Sequence, residues 1–194
     1  VNTIVNDGGR LIGYNTDGIG YVRSLKEETG VSLAGKTLLV IGAGGAARGV
    51  VYALAQERPA RIVIANRTAE RARALAADFA RYGSIAGIGL DELDDWKAQV
   101  DVVINTTHVG MSPHETEMPI DPSWLRPGML VSDIIYNPLI TMLLKQAEAK
   151  GCIIHGGLGM FIYQGAYAFE YWTGRPAPVA AMREAVEQSF VSHT

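Results

Sequence analysis

Cysteine is almost missing from this 194-residue sequence, with Cys152 the single example. That excludes an internal disulfide framework and any multi-cysteine metal site, and the setting reads as cytosolic. Metal-ligand spacing is lacking as well, since neither His114 nor His155 has partners in a metal pattern. No charge of one sign accumulates. The 17 Lys and Arg are scattered against 20 Asp and Glu, for a net charge of -3, so there is no footprint for nucleic acid. Val1-Asn2-Thr3 carries no basic segment and no apolar run of a signal peptide, and it reads as a start in mid-protein. One stretch, Gly151–Phe169, is free of Asp, Glu, Lys and Arg, but it holds five glycines, His155 and Gln164. It reads as a strand, a turn and a buried helix rather than a membrane span, and no membrane partner is expected. Internal repeats and low-complexity segments are absent.

What is present is a large apolar reserve, 48% of residues, and 22 glycines. The first can fill a core; the second points to tight turns or backbone that faces a ligand. Asn6-Asp7-Gly8-Gly9 between Ile4-Val5 and Arg10–Gly13 predicts a hairpin. A helix is expected from Asp17, with Ile19, Val22 and Leu25 at helical spacing and Gly30 closing it. Buried strands are expected at Lys36–Ile41, Arg61–Ala65, Asp101–Ile104, Leu130–Ile134 and Cys152–Ile154. Helices are expected at Gly45–Gln56, Ala69–Arg81, Thr141–Lys150, Met160–Thr173 and Val179–Phe190. This alternation predicts an α/β fold, a Rossmann-like doubly wound parallel sheet with helices on both faces. The three prolines in Pro113–Pro122 mark a loop.

Gly42-Ala43-Gly44-Gly45-Ala46-Ala47 follows the first buried strand and opens a helix, fitting G-x-G-x-x-A. Gly42 allows the sharp turn, Gly44 lets backbone approach a pyrophosphate, and Ala47 keeps the helix near the sheet. The plain alternative is a tight strand-to-helix turn, but strand, helix and second strand stand in the order that dinucleotide binding needs. An NAD enzyme would hold a carboxylate at the end of the second strand. Here Asn66-Arg67-Thr68 stands instead. A guanidinium pairs with a 2′-phosphate that a carboxylate would repel. Thr68 is expected to cap the next helix, with Arg71 one turn on along the same side. The cofactor expected is NADP.

Several separated motifs, in order and spacing, resemble the shikimate dehydrogenase family. They are Val1-Asn2-Thr3, Gly13–Gly18, Gly42–Ala47 with Asn66–Thr68, Asn105–Met111, Asp133–Pro138, Gly157–Met160 and Gln164–Ala166. The resemblance covers essentially the whole chain, except that nothing matches the family's lysine-bearing N-V-T-x-P-x-K segment. It implies reversible reduction of 3-dehydroshikimate to shikimate with NADPH, a step toward chorismate and the aromatic amino acids. Residues 1–14 then read as a remnant of the substrate domain, 15–173 as the NADP-binding unit with interdomain helices, and 174–194 as a closing helix. The resemblance makes Asp17 the catalytic aspartate, partner of the family's lysine in proton transfer. From the residues alone Asp17 reads equally as a helix N-cap or as a catalytic carboxylate. Asn2, Tyr136 and Gln164 match substrate-binding positions, and Ile134, Gly157 and Met160 match positions along the nicotinamide. The loop carrying Thr106 should line the cofactor; His108 stands where the family often has serine and is given no catalytic role. Tyr163, Phe169, Tyr171 and Trp172 are expected to leave an apolar face, with self-association as a homodimer through it.

Three other readings are weighed. An NAD-using quinate/shikimate enzyme is disfavoured by Arg67. A non-catalytic nucleotide sensor would need no substrate wall such as Asp17, Tyr136 and Gln164 provide. A methyltransferase with a similar glycine turn would want an acidic residue where Asn66-Arg67 stands.

Overall fold

A computed structural model describes residues 1–191. The chain opens with an antiparallel hairpin, β1 (Thr3–Asp7) and β2 (Arg10–Tyr14). Gly8 and Gly9 take its two turn positions with φ of 57° and 95°, the left-handed region that only glycine occupies without cost. Helix α1 (Asp17–Thr29) follows and ends on Gly30 at φ 67°. Then come β3 (Thr37–Ile41), α2 (Gly45–Gln56), β4 (Arg61–Asn66), α3 (Ala69–Phe79) and β5 (Ile85–Gly89). After a 3₁₀ segment at Leu90–Trp96 the chain continues as β6 (Val102–Asn105), β7 (Leu130–Asp133), α4 (Met142–Ala149), β8 (Ile153–His155), α5 (Gly157–Thr173) and α6 (Val179–Val191). Residues 192–194 of the expected closing unit lie outside the described residues.

The six strands β3–β8 form one parallel sheet in the order β5-β4-β3-β6-β7-β8. Both faces are covered, and the central strands read as unbroken apolar runs for that reason. Leu38, Val40, Ile62 and Ile64 face a core shared with α1, α2 and α3. Leu39, Val63, Val103 and Val131 face a second core completed by Trp124 and α4. Three elements differ from those expected. Strand β5 had no counterpart in the reading, because Ile85-Ala86-Gly87-Ile88-Gly89 carries little of the β-branched signal. Helix α5 starts at Gly157 rather than Met160, and α3 stops at Phe79, passing into a 3₁₀ turn. The charge-free stretch Gly151–Phe169 divides into β8 and α5 as expected, and among the described residues no helix is long and apolar enough to cross a membrane.

The aromatic face divides. Tyr163 is buried, and its hydroxyl donates to the Glu27 carboxylate, so it does not belong to an exposed surface. Trp172 is 62% exposed, while its indole N–H donates to the Ile4 carbonyl at 2.9 Å, and Tyr171 stacks on Tyr14 with ring centroids 4.4 Å apart. The end of α5 is thereby fastened to the hairpin.

Candidate nucleotide and substrate site

Strands β3 and β6 are neighbours, but the chain leaves them in opposite directions across the sheet. The loops beyond their carboxyl ends therefore part and leave a crevice, the place where open α/β sheets bind ligands. Gly42 makes the turn into that crevice at φ 111°, and its N–H donates to the Ala65 carbonyl at 2.8 Å. A β-carbon there would lie 2.7 Å from Thr106 Oγ1, so only glycine fits. Above Gly44 and Gly45 the space is open. Gly44 is the N-cap of α2 and supplies no side-chain cap. The first-turn N–H groups, on Gly45 and Ala46, thus have no intrahelical acceptor, next to the cleft that Gly42–Gly44 line. Ala43 and Ala46 are half-buried, and Ala47 is fully buried against the core. The turn is shaped for an anion.

At the end of β4, Asn66 Nδ2 donates to the Thr68 carbonyl at 2.9 Å and closes the bend. Arg67, Thr68 and Arg71 are exposed on the same cleft of about 350 Å³ as Gly42–Gly44. Neither arginine forms an ion pair among the described residues. The expected helix cap is not made: Thr68 occupies the N-cap position of α3, but its hydroxyl makes no cap hydrogen bond. Its ψ of 99° belongs to extended backbone, and the hydroxyl stays available to a ligand. Thr106 is 8% exposed, and its hydroxyl donates to the Ile41 carbonyl at 2.7 Å. It builds the wall rather than offering a free donor.

The cleft continues past Thr107 and His108 into a second hollow of about 430 Å³ lined by Ile134–Asn137. Ile134 is half-buried there, and Tyr136, 40% exposed, stacks on Phe161 with ring centroids 4.7 Å apart. Gly157 and Met160 line neither hollow; Gly157 lies directly behind Ile134, where any β-carbon would overlap the Ile134 carbonyl. Its N–H donates to Ile135 O at 3.2 Å, and half-buried Met160 follows one turn later.

Asp17 lies at the first turn of α1 and is half-buried. It is not the N-cap; that position is Thr16. Asp17 Oδ1 accepts from Asn2 Nδ2 at 2.8 Å. Asn2 Nδ2 also donates to Thr16 Oγ1 at 2.9 Å, and Asn2 Oδ1 accepts from the Thr16 N–H at 2.9 Å. The amide of Asn2 therefore aims the Asp17 carboxylate. Helix α5 lies against α1 so closely that a β-carbon on Gly20 would come 2.7 Å from the Gln164 nitrogen. Gln164 is half-buried there, with Nε2 donating to the Phe161 carbonyl at 3.0 Å. The sequence reading missed two buried groups, Asp133 beside this cleft and His155 on β8. Burial pushes the Asp133 carboxyl up to about 6, against hydrogen bonds from Ile135, Asn105 and Thr141 that pull it down. His155 joins Ser132 and Ser24. An aspartate closing an apolar strand run, as in Leu130-Val131-Ser132-Asp133, was the available signal. No group of three or more His, Cys, Asp or Glu among the described residues could hold a metal ion.

Residues 24–117 match the family model of shikimate/quinate 5-dehydrogenases, and residues 157–187 match that of the shikimate 5′-dehydrogenase C-terminal domain. A shikimate dehydrogenase (NADP(+)) of Geobacillus kaustophilus is 50% identical over 186 residues, covering 96% of this chain and 67% of the relative. A solved shikimate dehydrogenase in complex with NADP+ has a TM-score of 0.85 at 42% identity, over 96% of this chain and 65% of that one. The Listeria monocytogenes shikimate 5-dehydrogenase, solved with shikimate and NAD, has a TM-score of 0.88 at 36% identity, over 94% and 66%. The chain thus spans about two thirds of the length of these relatives.

Proposed function

The chain belongs to the shikimate dehydrogenase family, and from that premise we propose that it is the NADP-binding part of an enzyme interconverting 3-dehydroshikimate and shikimate. The observation that carries this reading is the junction of two features in one cleft. An uncapped helix start lies beyond the Gly42–Gly44 turn, and Arg67, just after β4, and Arg71, in α3, line the same cleft with no ion pair among the described residues. The first suits a pyrophosphate, and the second suits a 2′-phosphate. The residues present fit the cofactor: open space stands above Gly44 and Gly45, where backbone must approach it. In this assignment residues 1–14 belong to a substrate-binding part, residues 15–173 form the nucleotide unit, and residues 174–194 close it. The hairpin's separation from the six-stranded sheet supports the first boundary. A cytoplasmic location goes with this assignment.

When bound, NADPH supplies the hydride. The chain's own groups do the rest. Arg67, Thr68 and Arg71 hold the phosphate end, with Asn66 bending the chain to present them. Gly42–Ala47 cradle the pyrophosphate, and Thr106 backs that wall. Ile134, with Gly157 directly behind it and Met160 one turn on along α5, encloses the reacting end and keeps water from it. Tyr136, Gln164 and Asn2 bind the substrate's hydroxyl and carboxyl groups, and Asp17, aimed by Asn2, holds the hydroxyl where a proton must be exchanged. Calorimetry of the chain with both dinucleotides tests the reading. NADP+ should bind more tightly than NAD+, and Arg67→Ala should remove about 1.5–3 kcal/mol from NADP+ alone, as a charge-assisted phosphate contact does. Equal affinities in the parent chain would overturn the assignment of Arg67.

A further inference from the structure

At the carboxyl ends of β6 and β7 the fold buries one carboxylate that the proposed reaction does not use. Asp133 is fully buried, and every partner it has is a donor. Oδ1 accepts from Asn105 Nδ2 at 3.1 Å and from the Ile135 N–H at 3.1 Å. Oδ2 accepts from Asn105 Nδ2 at 3.2 Å and from Thr141 Oγ1 at 2.9 Å. Burying a carboxylate is costly, and an apolar side chain would close a strand more cheaply. Its return lies in what the donors belong to.

Asn105 spends the rest of its amide on the loop that follows it. Nδ2 donates to the Val109 carbonyl at 3.2 Å, and Oδ1 accepts from Thr107 N at 3.0 Å and Thr107 Oγ1 at 2.7 Å. Thr107 and His108, so held, face the cleft at the point where its two hollows meet. The Ile135 N–H belongs to the opposite wall, which presents Ile134 and Tyr136. One carboxylate therefore ties two facing loops to one fixed point. Only an ionised carboxylate accepts in all these directions; an asparagine would turn an NH₂ toward at least one donor.

We infer that Asp133 is the positioning residue of the cofactor cleft: without touching the ligand it sets the two facing walls, through Asn105 on one side and the Ile135 amide on the other. This rests on the dinucleotide reading above. The test is calorimetric NADP+ binding by the folded chain and its variants. Asp133→Asn should weaken binding about tenfold, the size expected for one misplaced hydrogen-bonding contact. Adding Thr107→Val to Asp133→Asn should cost less than a further twofold, since both break one linkage. Adding Arg67→Ala should multiply the two losses, since Arg67 acts elsewhere in the cleft. A merely structural role would lower the melting temperature and leave the affinity of the folded fraction, and this pattern of coupling, unmoved. Should Asp133→Asn not fold, Asn105→Ser cuts the same linkage while leaving Asp133 its bonds to Thr141 and Ile135, and it should show the same tenfold loss. Affinity within twofold of the parent in the folded variant, or losses that multiply with Thr107→Val, would overturn the inference. A parent chain that does not bind NADP+ would instead overturn the dinucleotide reading itself, and this inference with it.

Discussion

His155 lies on β8 between two serine hydroxyls, Ser132 Oγ at 2.8 Å from Nδ1 and Ser24 Oγ at 2.7 Å from Nε2. The buried Tyr21 hydroxyl donates to the same Ser132 at 2.8 Å. Burial pushes the imidazole down from 6.5 to about 4, with the Glu28 carboxylate 3.7 Å away pulling weakly the other way. In the folded chain the ring is neutral down to that pH, while the unfolded chain takes up its proton near 6.5. His155 therefore contributes stability that is complete above pH 6.5 and is lost as pH falls toward 4. At ~1.4 kcal/mol per unit the full loss is about 3 kcal/mol. Asp133 works in the opposite sense. Its raised pKa of about 6 means that stability declines as pH rises from 3.8 to 6. The two windows overlap, so each masks the other. His155→Asn removes only the first. Measured by urea unfolding, the stability of the parent minus that of the variant should grow by about 3 kcal/mol between pH 4 and pH 6.5. A difference independent of pH would refute this account of the imidazole. His155 was not legible in the sequence, because a histidine between Ile154 and Gly156 reads equally well as a turn residue, whereas Asp133 left a signal as the carboxylate closing an apolar strand run. The expectation for Arg67 came from its position at the end of the second strand, where residue type decides phosphate binding, and that for Asp17 came from the family resemblance, since the residues alone allowed a helix N-cap as readily.

Elements whose periodicity agrees with their burial could be read directly from the chain. The hairpin followed from Gly8-Gly9, α1 from Ile19, Val22 and Leu25 before Gly30, and β3 and α2 from an apolar run ending in the glycine turn. Strand β5 could not be read, and packing explains its composition. Any β-carbon on Gly87 would overlap the Ala72 backbone, so α3 lies directly on the β5 main chain. Close packing of a helix on a strand selects glycine, and glycine removes the strand's own signal. Gly87→Val should accordingly destabilise the fold despite valine's strand preference. Overpacking of this kind costs about 1–3 kcal/mol, to be seen as a lower urea midpoint with an unchanged slope. A valine variant as stable as the parent would show that α3 can lift away freely. The same logic places Gly18 of α1 against the Gly49 carbonyl of α2, which seats the start of α1, next to Asp17, directly on that helix.

At the scale of the whole molecule, the proposed function assigns the nucleotide half of the site to this chain and leaves its proton chemistry without a donor beside Asp17. Asp17 is aimed by Asn2 and forms no ion pair among the described residues. A hydride delivered to a ketone carbon leaves charge on oxygen, so a proton donor must stand beside it, and a carboxylate alone is a poor one at neutral pH. Of the five lysines, Lys26 is paired with Glu57 at 2.8 Å, Lys97 donates to Ser123 at 2.8 Å and Lys150 to the Pro122 carbonyl at 2.5 Å. Lys36 precedes β3 at the amino end of the strands, away from the crevice, and Lys145 lies on α4. None is placed to share a proton with Asp17. The 194-residue chain should therefore bind NADP+ and yet show no shikimate-dependent formation of NADPH. Loss of a general acid costs about 10² to 10⁴ in rate, and loss of the substrate's other wall removes positioning as well. Supplying the third of the relatives' length that this chain does not span, fused or in trans, should restore turnover. In that restored enzyme Asp17→Asn should abolish turnover while leaving NADP+ affinity unchanged, because Asp17 lies outside the nucleotide cleft. Turnover by the chain alone would place the whole proton path within these residues, with Asp17 as its centre and no lysine required.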